Sequence, residues 1–214
     1  MKLYGYWRSS SSWRVRIGLA HKGIAHETVP VHLVEGAQRA PAHAARNPMR
    51  QVPVLELDDG RMISQSLAIL GYLEQVCPAP PLLPSDPYDR AVAWALAEDV
   101  NSGTQPLQNL GLVRWGAQSF GADKVAWMRH WIQVGLDAME ARARALGHSG
   151  PWLVGDHPTI AEACLVPQLF NARRWGCDLS GWQTLLRAEA AAMALPAFAL
   201  THPDTQPDAQ PPAP

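Results

Sequence analysis

Trp7-Arg8-Ser9-Ser10-Ser11-Ser12-Trp13-Arg14-Val15-Arg16-Ile17-Gly18-Leu19 is the stretch on which the fold turns. Ahead of it, Leu3, Tyr4 and Tyr6 within residues 1–6 suit a short buried strand. Behind the serines a run without Pro sets Val15, Gly18 and Leu19 at the i, i+3, i+4 spacing of one helical face. A serine cluster at such a junction sits where N-caps sit, its hydroxyls and the first free backbone N–H groups converging on one point. Anions are attracted to that point. Four serines in a row also read as a flexible linker. The flanks oppose that reading, since Arg8 precedes the serines and Trp13, Arg14 and Arg16 follow, with no Gly, Pro or Asp to continue a linker. A cap that holds an Arg and directs a helix dipole outward is suited to a thiolate or a carboxylate.

Composition bounds the alternatives. A chain of 214 residues with 47% hydrophobic content can bury a core as one large or two small domains. Its 18 basic and 19 acidic residues leave a formal net charge of -1 and are scattered, so charge argues for neither nucleic acid nor an acidic membrane surface. Cys77, Cys164 and Cys177 share no CxxC spacing and are odd in number, which fits a reducing cytoplasm. Residues 1–6 lack the pattern of a secretory signal, and no apolar run approaches the ~18 residues of a membrane span. A cytoplasmic protein is expected.

Along the chain, Lys22-Gly23 reads as a helix stop and residues 27–31 as a second strand, with Pro30 consigning part of it to an edge. Residues 35–47 suggest a loop and an irregular helix. Residues 52–57, the turn Asp58-Asp59-Gly60 and residues 61–63 read as strand, hairpin turn and short strand. Ser64 or Gln65 then opens a helix through Leu67, Ile69, Leu70, Leu73 and Val76. The order β-α-β-α-β-β-α, with an X-Pro at Val52-Pro53 starting its third strand, suggests an α/β thioredoxin-like domain over residues 1–80.

Cys77-Pro-Ala-Pro-Pro-Leu-Leu-Pro-Ser-Asp-Pro holds five of the chain's 19 prolines and reads as a stiff linker. Beyond it, Ala-, Leu- and Trp-rich segments, broken at residues 116–121, 147–158 and 176–181, predict an all-helical domain over residues 86–203. Residues 204–214 are expected to be a disordered Pro-rich tail. Thr159-Ile160-Ala161-Glu162 fits a capping box, a folding device worth about 1 kcal/mol. Gln105-Pro106-Leu107-Gln108-Asn109 interrupts a helical segment, either as a Pro kink that turns amides to a cleft or as a solvated loop.

The chain's own side chains offer little chemistry. Its eight His residues show no zinc-ligand spacing, and no Gly-x-Ser-x-Gly occurs, so no metal is expected and a cofactor must supply the reactive group. A Ser9 hydroxyl can donate a hydrogen bond to a thiolate but is no base at neutral pH.

Ser-Ser-Ser-Ser-Trp-Arg-Val-Arg-Ile resembles the Ser-Ser-Cys-Ser-x-Arg-Val-Arg-Ile signature of zeta-class glutathione transferases, with Ser11 standing where the signature has Cys. The resemblance extends from Met1 to about Pro203 and includes Gln105-Pro-Leu-Gln-Asn109 and Asn171-Ala-Arg-Arg174. It implies a thioredoxin-like domain joined to an all-α domain, with glutathione as cofactor. Ser9 would be catalytic, with Ser10 beside it and Arg8 holding the acidic substrate. Glutathione would be bound by Ser9, Ser10, Ser11, Gln38, Gln51, Val52, Pro53, Gln65, Ser66, Gln105 and Asn109. The Val52 backbone, ahead of a cis Pro53, would pair with the cysteinyl part, and Gln65-Ser66 would take the γ-glutamyl carboxylate. Arg174 would hold a substrate carboxylate.

The implied reaction is cis–trans isomerisation of a small diacid, maleylacetoacetate, in tyrosine and phenylalanine breakdown. Maleylpyruvate, conjugation of halogenated acids and a non-catalytic binding module are the alternatives. The maleylpyruvate branch carries an added Arg just after the amide segment, where Leu110 and Gly111 stand here. A homodimer, with Asp99 reaching toward the partner, is also implied.

Overall fold

The computed structural model describes residues 1–210. It divides into two compact units, Met1–Pro81 together with the chain from Ala194 onward, and Leu82–Met193.

In the first unit the chain runs β1 (Lys2–Gly5), α1 (Ser10–His21), β2 (Glu27–Pro30), a 3₁₀ turn at Ala37–Arg39, α2 (Pro41–Arg46), β3 (Val54–Glu56), β4 (Met62–Ser64) and α3 (Ser66–Val76). The four strands form one sheet in the order β2-β1-β3-β4. β2 is parallel to β1, β3 antiparallel to β1 and β4 antiparallel to β3, with Leu3 facing both Thr28 and Leu55 across the ladders. β2 lies at the edge, where Pro30 leaves no central ladder bond unmade. Alternation along β1 sends Leu3 to a core with Val15, Leu19, Leu55, Ile69 and Leu73, and Tyr4 to one with Tyr6, Trp7, Val31, Val52 and Val54. Gly60, at φ +83°, closes the β3–β4 turn, where Leu57 N–H reaches the Arg61 carbonyl at 2.9 Å.

The Pro-rich connection is anchored at both ends. Lys22 Nζ, paired with Glu74 at 2.7 Å, donates to the carbonyls of Cys77 at 2.6 Å and Pro80 at 3.0 Å. Its side chain is fully buried, so these acceptors replace lost water. Beyond Pro81, Leu82, Leu83 and Pro84 are buried in the second unit, and Ile160 N–H bonds the Leu82 carbonyl at 2.9 Å.

The second unit contains α4 (Pro87–Asn101), a 3₁₀ turn at Gln105–Gln108, α5 (Leu110–Phe120), α6 (Lys124–Leu146), α7 (Ile160–Arg174) and α8 (Gln183–Met193). α7 is buried almost all round, from Ile160 through Leu169, and is packed by α4, α6 and α8. The amide segment is a full break and not a kink. α4 ends at Asn101, and the hydroxyls of Ser102 and Thr104 donate to the Glu98 and Asp99 carbonyls at 2.9 and 2.7 Å. Thr104 packs against Gly135 of α6, where an added Cβ would lie 2.0 Å from Thr104 Oγ1. α5 runs through Gly116, and the break falls instead at Gly121, whose φ of +65° ends the helix.

The C-terminal expectation needs correction. Residues 194–203, expected in the helical domain, belong to the first unit, with α9 (Pro196–Ala199) packed on α1. The expected disordered tail is ordered through Gln210: Pro203–Thr205 form a 3₁₀ turn, and Asp208 accepts from the Trp7 N–H at 3.3 Å. The physical reason is that α1 carries buried donors, Trp13 Nε1 and Arg16 Nε, whose acceptors lie on Thr201 in this segment. Residues 211–214 of that tail lie outside the described residues.

Candidate active site

At the α1 N-terminus Ser9 is the N-cap, with extended backbone (φ −72°, ψ 119°), and its Oγ accepts from Ser12 N–H at 3.3 Å. One lone pair is therefore engaged in folding while the hydroxyl proton is left to donate elsewhere. Arg8, Ser9, Ser10 and Ser11 are all half-buried, whereas Ser12 is fully buried and accepts from Tyr6 N–H at 3.3 Å. The Arg8 guanidinium lies 5.1 Å from the centre of the Trp7 ring, a cation–π contact. No acidic residue lies in the first turn of α1, so the helix dipole there is uncompensated.

The Val52-Pro53 peptide is cis. Val52 lies beyond the β1–β3 ladder, whose last pair is Tyr4–Val54, so the sheet does not use its N–H and C=O. The residue before it is pinned: the Gln51 carbonyl accepts from Asn47 Nδ2 at 3.0 Å and lies 3.0 Å from His43 Nε2. A carbonyl only accepts, so Nε2 is the protonated ring nitrogen. Both His43 and Asn47 are 3% exposed, so these bonds form away from competing water. Gln38, half-buried on the 3₁₀ turn, has a buried Oε1 with no hydrogen-bond partner among the described residues.

α3 begins at an unusual residue. Gln65 has φ +73°, a region that costs a non-glycine residue roughly 1–3 kcal/mol, and its side chain is exposed without capping the helix. Ser66 is turned inward, 3% exposed, and its Oγ accepts from the buried Arg14 guanidinium at 3.3 Å. Of the Gln65-Ser66 pair, then, Gln65 presents a side chain outward and Ser66 only its backbone.

The second unit carries the other predicted residues. Gln105 is half-buried at the start of the 3₁₀ turn; Asn109 is exposed and occupies the N-cap position of α5 without a side-chain cap bond. The buried amide is Gln108, whose Oε1 accepts from Asn171 Nδ2 and, at 3.4 Å, from Gln168 Nε2. Arg174 ends α7, exposed, its guanidinium 5.3 Å from the centre of the Trp175 ring, with Lys124 Nζ at 5.2 Å from the same ring. Asp99 is held within this unit by Arg142, with Nε at 2.9 Å and Nη2 at 3.3 Å. His130 is exposed.

Residues 1–75 match the family model of the glutathione S-transferase N-terminal domain. Maleylacetoacetate isomerase of Rattus norvegicus is 44% identical over 208 residues, covering 96% of this chain and 94% of that protein. The chain belongs to the zeta-class glutathione transferase family. Two solved structures extend the comparison. A maleylpyruvate isomerase described as a bacterial glutathione S-transferase of the zeta class has a TM-score of 0.94 at 38% identity, covering 98% of this chain and 100% of its own. Maleylacetoacetate isomerase of Anaeromyxobacter dehalogenans has a TM-score of 0.88 at 50% identity, covering 98% of this chain and 97% of its own. That protein was solved with glutathione in its active site, and again with dicarboxyethyl glutathione and citrate.

In this zeta-class chain Arg8, Ser9, Ser10, Ser11, Gln38, Gln51, Val52, Pro53, Gln65 and Ser66 lie in the first unit, and Gln105, Asn109 and Arg174 in the second. Sequence reading missed the residues that hold these in place: Arg14 on Ser66, and His43 and Asn47 on Gln51. Asn47 offered a signal, since an Asn directly before Pro and five residues ahead of a strand-starting X-Pro is a local side-chain-to-backbone donor. Arg14 offered none, because an Arg among apolar helix positions reads as surface. Among the described residues no helix is long and apolar enough to cross a membrane, and no cluster of three His, Cys, Asp or Glu side chains could hold a metal ion.

Proposed function

We propose that this chain is a glutathione-dependent cis–trans isomerase that converts maleylacetoacetate to fumarylacetoacetate. The observation that carries this reading is Ser9, an N-cap whose oxygen accepts a helix N–H and whose proton is left to donate, directly after Arg8. The residues suit glutathione: the sheet leaves the Val52 N–H and C=O to pair with an added strand, and Gln65 and the Ser66 N–H stand at a helix N-terminus suited to a carboxylate.

Glutathione, when bound, supplies a thiol that adds to the conjugated double bond and departs after rotation, so it is not consumed. Ser9 would donate a hydrogen bond to the sulfur, and the α1 N-terminus would favour negative charge there; together they would lower the thiol's pKa toward the thiolate. Ser10 and Ser11 supply the rest of that helix terminus. Arg8, beside Trp7, would hold a substrate carboxylate and the substrate oxygen that gains negative charge. Gln51, fixed by His43 and Asn47, aims the Val52 peptide; Pro53 and Gln38 complete the binding surface of the first unit. By family resemblance Gln105 and Asn109 are assigned to the cofactor and Arg174 to a second carboxylate. The reading includes a cytoplasmic homodimer.

Maleylpyruvate is the second reading, supported by the likeness to a maleylpyruvate isomerase at a TM-score of 0.94, which a maleylacetoacetate isomerase from Methylobacterium extorquens equals, so the fold does not separate the two substrates. Both substrates are followed with and without glutathione, for wild type and Ser9→Ala. Faster turnover of maleylacetoacetate that requires glutathione and Ser9 supports the proposal. Faster turnover of maleylpyruvate moves the enzyme to the second reading, and activity on neither sinks both.

A further inference from the structure

Trp7 lies between the last residue of β1 and the α1 N-cap, so neither the sheet nor the helix provides partners for its peptide groups. Both are nevertheless occupied. Its N–H is 3.3 Å from Asp208 Oδ2, and its C=O accepts from Arg16 Nη2 at 2.9 Å. The same Arg16 donates through Nε to the Thr201 carbonyl at 3.3 Å, and Trp13 Nε1 donates to Thr201 Oγ1 at 3.1 Å. His202 packs edge-on against the Trp13 ring at 5.1 Å. Ala209 packs on the apolar cluster that holds Trp7 and Val52. Residues 201–209 thus touch two of the chain segments on which the proposed cofactor contacts sit, and they hold the peptide planes on either side of Trp7, one directly through Asp208 and the other through Arg16.

We propose that the C-terminal segment is part of the glutathione-binding machinery and that Asp208 is a positioning residue, holding the Trp7–Ser9 turn through the Trp7 N–H. The proposal rests on the function argued above. Its logic is electrostatic as well as steric. Arg16 is 5% exposed, and burial brings its pKa down to about 10, against which the nearby Asp208 carboxylate acts. Without that carboxylate the Trp7 N–H loses its acceptor and Arg16 its counter-charge, so the turn is freed to sample other orientations. The chemistry of the thiol is untouched, because Ser9 keeps its own cap bond to Ser12. Asp208 therefore acts on cofactor affinity and not on the reaction once cofactor is bound.

The test compares the full chain with Asp208→Ala and Asp208→Asn, and with Asp204→Ala as a control on the same segment. Glutathione binding is measured by calorimetry, and KM and kcat by steady-state assay. Asp208→Ala is expected to raise both Kd and KM for glutathione about tenfold, the loss of one charge-assisted bond, with kcat at saturating glutathione within about twofold. Asp208→Asn, which keeps an acceptor oxygen, recovers most of the affinity, and Asp204→Ala leaves it unchanged. An Asp208→Ala protein with wild-type affinity, or one that loses kcat or folded fraction at constant KM, overturns the proposal. If wild type does not bind glutathione, the functional reading itself falls. Amide exchange then decides on the clasp: Asp208→Ala speeds exchange at Trp7 if the carboxylate holds that N–H and leaves it unchanged if it does not.

Discussion

Ser9 and Thr159 are the same device in two units, a hydroxyl at the N-cap of a helix, and they differ in what is left over. Thr159 is fully buried; its Oγ1 accepts from Ala161 N–H at 3.1 Å and donates to Glu162 Oε2 at 2.8 Å. Glu162 also takes the N–H groups of Thr159 at 2.7 Å and Leu153 at 2.8 Å, so every polar atom of that cap is consumed by folding. Ser9 is half-buried and takes a single N–H, and nothing at its cap corresponds to Glu162. A cap whose donors are exhausted stabilises a helix. One with a proton to spare can act on a ligand.

Dismantling each cap should therefore fail in opposite ways. Ser9→Ala is expected to lower kcat/KM for the glutathione-dependent isomerisation by about 10²–10³, the loss of one hydrogen bond to developing negative charge, while unfolding shifts by only about 1 kcal/mol. A Ser9→Ala protein that unfolds early but is fully active per folded molecule would reverse the comparison.

Glu162→Ala is expected to show the converse: about 2.5 kcal/mol less stability in denaturant unfolding, from the buried N–H groups left unpaired, with the glutathione Kd unchanged. Burial raises the Glu162 carboxyl pKa above its ordinary value. The unfolded chain then loses this proton first as pH rises, so Glu162 makes stability fall between the unfolded pKa and the raised folded one. Glu162→Gln removes that slope, which unfolding curves collected across the acidic range detect.

A similar contrast separates Gln51 from the residues around it. Asn47→Ala removes one of the two donors on the Gln51 carbonyl, and the Val52 peptide behind it loosens. The expected result is roughly tenfold weaker glutathione binding, about 1.4 kcal/mol, with kcat nearly constant at saturation. Equal loss of kcat would mean that this loop contacts the reacting atoms.

Local pattern carried most of the fold. The strand–serine–helix junction, the Asp58-Asp59-Gly60 turn and the Thr159–Glu162 box are each written within a few residues, where spacing and turn chemistry decide the conformation. What pattern could not carry is who holds whom across the chain. Arg14 reaches Ser66 over 52 residues and Asp208 reaches Trp7 over 201, and no periodicity marks either. The Pro-rich end was read as a disordered tail because composition says nothing of the buried donors of α1 that order it. In the amide segment, Gln105, Gln108 and Asn109 are chemically alike, and only burial singles out Gln108 as the structural one.

Arg174 gives the smallest expected effect and the sharpest use of that distinction. It is exposed and stacked beside Trp175, and Lys124 faces the same ring, so a positive charge remains near the ring when Arg174 is removed. An exposed charge contributes about 1 kcal/mol or less, and Arg174→Ala should raise KM for the diacid about fivefold without changing the glutathione Kd. Arg174→Lys should recover only part of this, because an ammonium cannot offer the paired donors that a carboxylate takes from a guanidinium. Full recovery by Lys would reduce the role of Arg174 to bulk charge, shared with Lys124. Partial recovery would mean that the exposed end of α7 offers a ligand the paired donors of a guanidinium, as Ser9 offers it a hydroxyl proton.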